Sequence, residues 1–456
     1  MNPFQGSFPD KRLDARAQIL LEALTAHQSV TLSKIARDWS EQMSFYRFLH
    51  NESVQVGALI EGLTSSLEIE SAHYLVIADT TQFNYEHRAD HIESGLGVIG
   101  DNESLGFFLH PSLVLSAESG YCLGFSDVQT WVRSFEKQDK HERRYKRQPI
   151  EEKESYRWIE SIEASREVLA EAAQLTFIAD REGDIYELLC QSEKSDLLIR
   201  SRDNRRIEGG KLFERLAQQP LAGTYKFMLR GDIRKGRIGR EVDIEVRYCQ
   251  VQIKRPVPLR DDRYSEVVTL YGIEAKEKDP PEGQKPVHWR LLTSHEVESF
   301  AFACQCIYWY SLRWYIEQLF RLLKQKGFDV ESSCLEDGES LIKLVLMAMA
   351  SALDVMRLLL AQRGEKDQPI DHVFSKHEQQ CLHELGPMLE GRTQKQKNPN
   401  PAGTLGWAAW IIARLGGWKG YTSQGRAGPI TYYDGLKRFR LTFEGWSLAN
   451  GFVYNA

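Results

Sequence analysis

Tyr74-Leu-Val-Ile-Ala-Asp79-Thr-Thr81 is an unbroken apolar run that ends in an acid, and Leu175-Thr-Phe-Ile-Ala-Asp180 repeats the device later in the chain. Apolar runs this short read as strands buried on both faces, each delivering a carboxylate to a sheet edge. Outward from the first run, residues 106–116 and 121–132 predict a β-meander joined by the turn Glu118-Ser119-Gly120. A helix starting near Glu151 leads into the second run, a short helix through Ile185 to Leu189 follows it, and Leu197 to Arg200 is another short strand. Residues 211–297 mix β-branched residues with Gly and Pro, including Asp279-Pro-Pro-Glu-Gly-Gln284, and predict a β-rich insertion.

Helical patterns flank this α/β core. Residues 10–25, 31–39 and 44–49 predict three short N-terminal helices, and Lys11, Arg12, Arg16, Lys34, Arg37, Tyr46 and Arg47 recur on them. Such a surface suits phosphates and is equally an ordinary solvated helical face. Phe300 to about Gly327 predicts one long helix, and Leu341 to Leu360 an apolar helix buried in a C-terminal bundle. Residues 394–403, polar with Pro399 and Pro401, are the best linker candidate. The expected organisation is a helical module over 1–70, an α/β domain over 71–370 carrying the β-rich insertion at 205–298, and a helical region over 371–456.

The 456 residues are 42% hydrophobic and 27% charged, which excludes a disordered tail and leaves room for several domains of roughly 100–200 residues. Nothing approaches the run of about 18 uncharged apolar residues that a membrane span needs, and the N-terminus lacks the apolar centre of a signal peptide, so a soluble cytoplasmic protein is expected. Seven mostly isolated cysteines read as reduced thiols. A net charge of −6 requires any nucleic-acid surface to be local. There is no Walker-type loop, so no nucleotide cofactor is expected.

The chemistry is carried by a third element, Tyr310-Ser-Leu-Arg313-Trp-Tyr-Ile-Glu317-Gln-Leu-Phe-Arg-Leu-Leu-Lys324. At about 100° per residue, Tyr310, Arg313, Glu317 and Lys324 fall near 0°, 300°, 340° and 320°, so they share a face about 60° wide. An amphipathic helix with an internal ion pair explains Glu317 beside Arg313 or Arg321. It explains less well the combination with two strand-end aspartates, which together with Glu317 are the oxygen set that hard divalent ions want. Two such ions roughly 3.5–4 Å apart activate an attacking hydroxyl and stabilise the leaving oxygen of a displacement at phosphorus.

The chain resembles the cut-and-paste transposases of bacterial insertion sequences, and among them the branch with a spaced Tyr-Arg-Glu-Lys signature. The resemblance rests on Ile77-Ala-Asp79-Thr-Thr81, Ala179-Asp180-Arg-Glu-Gly-Asp-Ile185, Trp289-Arg-Leu-Leu-Thr-Ser294, the stretch Tyr310 to Lys324, and Ala413-Arg-Leu-Gly-Gly417, in the family's order. It implies an RNase H-like mixed sheet flanked by helices. It implies Asp79, Asp180 and Glu317 as catalytic ligands of two magnesium ions, with manganese able to substitute. Tyr310, Arg313 and Lys324 would contact phosphates at the element's end, and Trp289 would stack a flipped base, although a core tryptophan is the plainer assignment. Arg200 and Arg202 would touch DNA, as would Lys11, Arg12 and Arg16 in a module that is one leading helix shorter than in the family's best-known member. The implied partners are double-stranded DNA, as terminal repeats and as target, and a second copy of the chain in a synaptic homodimer. The implied setting is the bacterial cytoplasm, with association to the nucleoid.

Other signals are weaker. Three acids within five residues cannot all face one ion, so Glu182 and Asp184 are assigned structural roles, as helix-terminal charges or partners of Arg181. His377, Cys381 and His383 match no common closed zinc site. Arg143, Arg144, Lys146 and Arg147, and the run from Arg230 to Arg240, are candidate DNA grips.

Overall fold

The computed structural model describes residues 3–100, 103–135, 148–229, 239–259, 263–284, 286–324, 327–362, 368–421 and 425–451. The basic run at 143–147 and most of the 230–240 run lie outside these residues. In chain order the main elements are helices α1 (Lys11–His27), α2 (Leu32–Ile35), α3 (Trp39–Leu49) and α4 (Val56–Ser65), then strands β1 (His73–Ala78), β2 (Thr81–Asn84), β3 (Gly97–Ile99), β4 (Ser104–Ser116) and β5 (Cys122–Trp131). There follow α5 (Arg157–Val168), β6 (Gln174–Ala179), α6 (Tyr186–Leu189), β7 (Asp196–Arg200), β8 (Arg206–Ile207), β9 (Gly210–Lys211), α7 (Leu212–Ala217), β10 (Gly223–Leu229), β11 (Arg240–Lys254), β12 (Val267–Glu277) and β13 (His288–Thr293). Helices α8 (Phe300–Ser311), α9 (Trp314–Leu323), α10 (Gly338–Ala361), α11 (Lys376–Leu389), α12 (Leu405–Leu415) and α13 (Pro429–Ala449) complete the chain. The protein is therefore mixed α/β with helical regions at both ends of the sequence.

It divides into two compact units: Met1–Glu68 with Thr80–Glu136 and Tyr315–Ala456, and Ile69–Asp79 with Lys137–Trp314. In the first, α10 is the central helix. Its mean hydropathy of 2.0 would let it cross a membrane by length and composition, but 83% of that window is buried inside the protein, which identifies a core helix. Asp337 caps its start by accepting from the Ser340 N–H at 2.8 Å. Against it lies α1, burying Ala17, Leu20 and Leu24, with Thr25 Oγ1 bonded to Ser351 Oγ at 3.1 Å. Strands β4 and β5 pair antiparallel in the expected meander, and β2 and β3 also pair antiparallel with β4.

In the second unit β1, β6 and β7 are parallel neighbours, and β13, β12 and β11 continue antiparallel beyond β7. The far edge of β11 carries β10 along one half and β8 at the other. Parallel neighbours need a crossover, which α6 supplies between β6 and β7. Trp158, Ser161 and Ile162 of α5 pack with Val76, Ala78 and Phe177, so β1 and β6 are buried and their sequences read as unbroken apolar runs.

Two expectations need correction. The second N-terminal helix is one turn, Leu32–Ile35, because Thr31 makes no side-chain cap bond and Ala36 is already extended. The long helix from Phe300 is two helices. Ser311 Oγ donates back to the Tyr308 carbonyl at 2.7 Å, and the ladder tightens to Leu312 N–H to Trp309 O at 3.0 Å and Arg313 N–H to Tyr310 O at 3.1 Å. Such back-bonding and three-residue closures end or bend a helix. The helical-wheel face calculated for Tyr310, Arg313, Glu317 and Lys324 therefore does not describe one rigid rod.

At the start of the parallel strands, Thr176 Oγ1 bridges His73 Nε2 and His295 Nε2, each at 2.8 Å. Burial, reinforced by His295, lowers the His73 pKa to about 4, and burial lowers that of His295 against the pull of Asp196. Both rings are neutral when folded, whereas the unfolded chain takes up protons near 6.5, so their contribution to stability is intact above about pH 6.5 and is lost as pH falls toward 4. The melting temperature should drop between pH 7 and pH 4.5, and His73→Gln should flatten that drop. An unchanged slope in the variant would show that the acid sensitivity originates elsewhere.

Candidate functional site

The pairing of β1 with β6 runs in register to Ile77 opposite Ile178. Extending it by two residues brings Asp79 and Asp180 to the same level on adjacent strands, whose spacing is about 4.8 Å. Both sit at the carboxyl ends of parallel strands, where open α/β sheets bind ligands. Arg200 ends the next parallel strand, β7.

Asp79 does not stand alone. Arg313 Nη1 lies 2.6 Å from its Oδ2, and both side chains are about 85% buried, at 16% and 15% exposure. Asp180 spends one oxygen on the local turn, accepting from the Glu182 N–H at 2.7 Å as cap of residues Arg181–Gly183. Tyr310 is buried, and burial raises its hydroxyl pKa; the Arg313 and Arg200 guanidiniums pull it down and the Asp180 carboxylate pushes it up, so all three lie within electrostatic reach. Among the described groups the Tyr310 hydroxyl and Arg200 Nε are buried with no partner in hydrogen-bond geometry, although Arg200 is close enough to the hydroxyl to influence its acidity. Arg200 Nη2 reaches the His288 carbonyl at 3.4 Å.

Trp289 is half-buried on β13, its ring 5.6 Å from Tyr310 and 5.7 Å from Phe227 of β10, edge to face with both. Its neighbours His288 and Arg290 point to the other face, where buried Glu274 accepts from His288 Nε2 at 2.8 Å and Arg290 Nε at 3.0 Å. Trp289 is thus pinned from both sides. Phe227 was not singled out from the sequence; the alternation of Tyr225 and Phe227 along β10 is the signal that could have found it.

The other expected residues fall as follows. Arg202 is exposed and pairs with Asp203 at 3.2 Å. Glu317 is exposed on α9, flanked by buried Ile316 and Gln318. Lys324, in the first unit, is largely buried, donates to the Gln82 carbonyl and lies 5.2 Å from the Phe83 ring; burial lowers its pKa, partly offset by Glu331. Lys11 is exposed, Arg12 forks onto Asp10 with its closest contact 2.7 Å, and Arg16 Nη1 donates to Ser44 Oγ of α3 at 2.7 Å. Glu182 pairs with Arg157 at 3.2 Å, and Asp184 with Arg205 rather than with Arg181. On α11, Cys381 is buried and His383 packs on Trp407 with ring centroids 4.5 Å apart.

The chemistry of the strand-end pair, two carboxylates and no sulfur or imidazole, suits a hard cation such as magnesium or manganese. Among the described residues no group of three or more His, Cys, Asp and Glu side chains is gathered so as to hold a metal ion. An acidic strand-end pair flanked by two arginines and a buried tyrosine defines, within a mixed α/β protein, a site suited to phosphate-bearing substrates. Residues 5–54, the helical module of α1 to α3, match the transposase DNA-binding family. That match supports a transposase role and DNA as the partner.

Tyr310→Phe removes a buried hydroxyl whose one neighbouring donor, the Arg200 guanidinium, is not in good hydrogen-bond geometry with it. The melting temperature should stay unchanged or rise slightly. A fall of several degrees in a calorimetric scan would show that the hydroxyl holds the fold together.

Proposed function

We propose that the chain is a cut-and-paste DNA transposase of the insertion-sequence type with an RNase H-like catalytic domain. The observation that carries the proposal is the pair of adjacent strand-end carboxylates, Asp79 and Asp180, set among Arg313, Arg200 and Tyr310, in a chain whose residues 5–54 match a transposase DNA-binding family. In this reading residues 1–70 bind the element's ends, 71–370 are catalytic, and 371–456 pair two protomers so that both ends of one element are handled together.

Asp79, Asp180 and Glu317 would hold two magnesium ions, replaceable by manganese, whose chemistry is to activate an oxygen nucleophile and to stabilise the leaving oxygen at phosphorus. The chain's own residues orient the substrate. Arg200 and Arg313 offer guanidinium donors to phosphate oxygens, with Arg313 exchanging its bond to Asp79 for one to the backbone. Tyr310 offers its hydroxyl to a phosphate, and its raised pKa keeps the proton on for donation. Trp289, held by Phe227 and Tyr310, offers an aromatic surface on which an unstacked base can rest, worth roughly 1–3 kcal/mol. Lys324, which donates to the Gln82 carbonyl, would also offer its ammonium to a phosphate at the element's end. The reaction would proceed by strand nicking, hairpin formation by the freed 3′-hydroxyl, hairpin opening by water and transfer of the 3′ end into target DNA. Nicking and hairpin opening would each hydrolyse one phosphodiester with water, while hairpin formation and strand transfer would be transesterifications in which a 3′-hydroxyl replaces the leaving hydroxyl, so no external energy source is required. The protein would act in the bacterial cytoplasm, at the nucleoid.

The test is cleavage of labelled DNA carrying the flanking terminal repeats in the presence of magnesium, comparing the intact chain with Glu317→Ala and Asp180→Asn. Hairpinned or blunt-ended products should fall by about 10²-fold or more in both variants while end binding persists. Binding without cleavage by the intact chain, with either ion, would make it a regulator occupying transposon ends. Cleavage of any duplex regardless of its ends would make it a nuclease of the same fold.

A further inference from the structure

The turn after Asp180 ends on a buried carboxylate that neither the metal-ligand set nor the phosphate donors use. Asp184 is fully buried, with φ −76° and ψ 64°, and the Ile185 N–H closes onto the Gly183 carbonyl at 2.8 Å around it, an inverse γ-turn. Its Oδ2 accepts from the Arg202 N–H at 2.7 Å, the Asp203 N–H at 3.2 Å and Ser201 Oγ at 3.3 Å. Its Oδ1 accepts from Arg205 Nε at 2.7 Å, and the same guanidinium also donates to the Asp184 carbonyl. The loop after β7 is thereby wrapped around one side chain of the loop after β6. At its near end the Ser201 N–H donates to the Arg290 carbonyl at 2.8 Å, beside Trp289.

We infer that Asp184 is a positioning residue: it fixes the basic loop 201–205 against the Asp180 turn so that Arg202 meets a DNA phosphate in register with the carboxylate pair. The inference rests on the proposed reading of Asp180 as catalytic and of Arg202 as a DNA contact. A buried carboxylate that takes up two backbone N–H groups and a guanidinium is costly to build unless every partner is in place, so the loop has one conformation rather than several. Arg202 itself is over half exposed at 52%, and its pair with Asp203 at 3.2 Å lies in solvent, where a phosphate competes easily. The anchor is therefore buried while the group it presents is accessible.

Two readouts on the full chain test this. The first needs no DNA: hydrogen exchange at the Arg202 and Asp203 amides, which should be protected in the intact chain, partly released in Asp184→Asn, whose oxygen can still accept them but whose amide nitrogen cannot accept from Arg205, and fully released in Asp184→Ala. The second is the slope of log affinity against log salt for terminal-repeat DNA. Arg202→Ala should lower that slope by about 0.9, Asp184→Ala by at least as much, and the double variant by no more than Asp184→Ala alone, while Asp184→Asn falls between the intact chain and Asp184→Ala. Arg205→Lys, which keeps the charge and loses the fork, serves if Asp184→Ala fails to fold, and should give partial loss in both readouts. Protected amides in a folded Asp184→Ala would overturn the anchor. Amide release with an unchanged slope, or slope losses that add in the double variant, would overturn its role in presenting Arg202. An intact chain with protected amides that neither binds nor cuts the ends would instead overturn the transposase reading and leave the anchor standing.

Discussion

The parallel register of β1 against β6 is the constraint on which the proposed chemistry depends. Strands buried on both faces admit no charge along their length, because an unpaired ion in that interior would be prohibitive. A carboxylate can appear only where the apolar run stops. Since both runs stop at the same level, Asp79 and Asp180 become neighbours with no further device. Two carboxylates on neighbouring strand ends repel one another. Arg313, 2.6 Å from Asp79, supplies the compensating charge within the same unit. The pair therefore persists in the folded chain because a cation is already built in beside it.

The donors around that pair are incompletely satisfied. A buried polar group in poor hydrogen-bond geometry is destabilising, and the Tyr310 hydroxyl and Arg200 Nε, which face one another, are such groups. In the proposed reading an oxygen-rich, negatively charged ligand would complement these two groups. Trp289 is placed with equal care: its strand neighbours are tied to Glu274 on one face, while Phe227 and Tyr310 hold its ring on the other. An aromatic side chain fixed this way loses little conformational freedom on meeting a flat partner.

The parts of this arrangement governed by local pattern were legible in the residues. The two strand runs, the meander around Gly120, the β-rich insertion and the buried C-terminal helix all follow from periodicity and turn chemistry, and Asp10 marks the start of α1 by capping it at the Arg12 N–H. What was not legible depends on competition at single residues or on distant partners. Ser311 diverts a helical carbonyl, and so the long helix breaks where its hydrophobic pattern runs on. The bond from Lys324 to the Gln82 carbonyl and its approach to the Phe83 ring depend on a distant strand that helix spacing alone does not reveal. Asp184 looks like one more helix-terminal acid, and only the return of the chain with Arg205 makes it an anchor.

The N-terminal module meets a different constraint. With a net charge of −6 the chain cannot hold DNA by a general positive field, so contacts must come from groups whose existing partners are weak. Arg12 and Asp10 form such a pair, with the arginine side chain 90% exposed, so a phosphate can replace the carboxylate without uncovering anything buried. Arg16 differs in kind: its bond to Ser44 ties α1 to α3, so recruiting it to DNA would loosen the module itself. Of this trio Lys11 and Arg12 are therefore the exposed groups with no buried partner to give up in the proposed reading, whereas Arg16 helps tie α1 to α3.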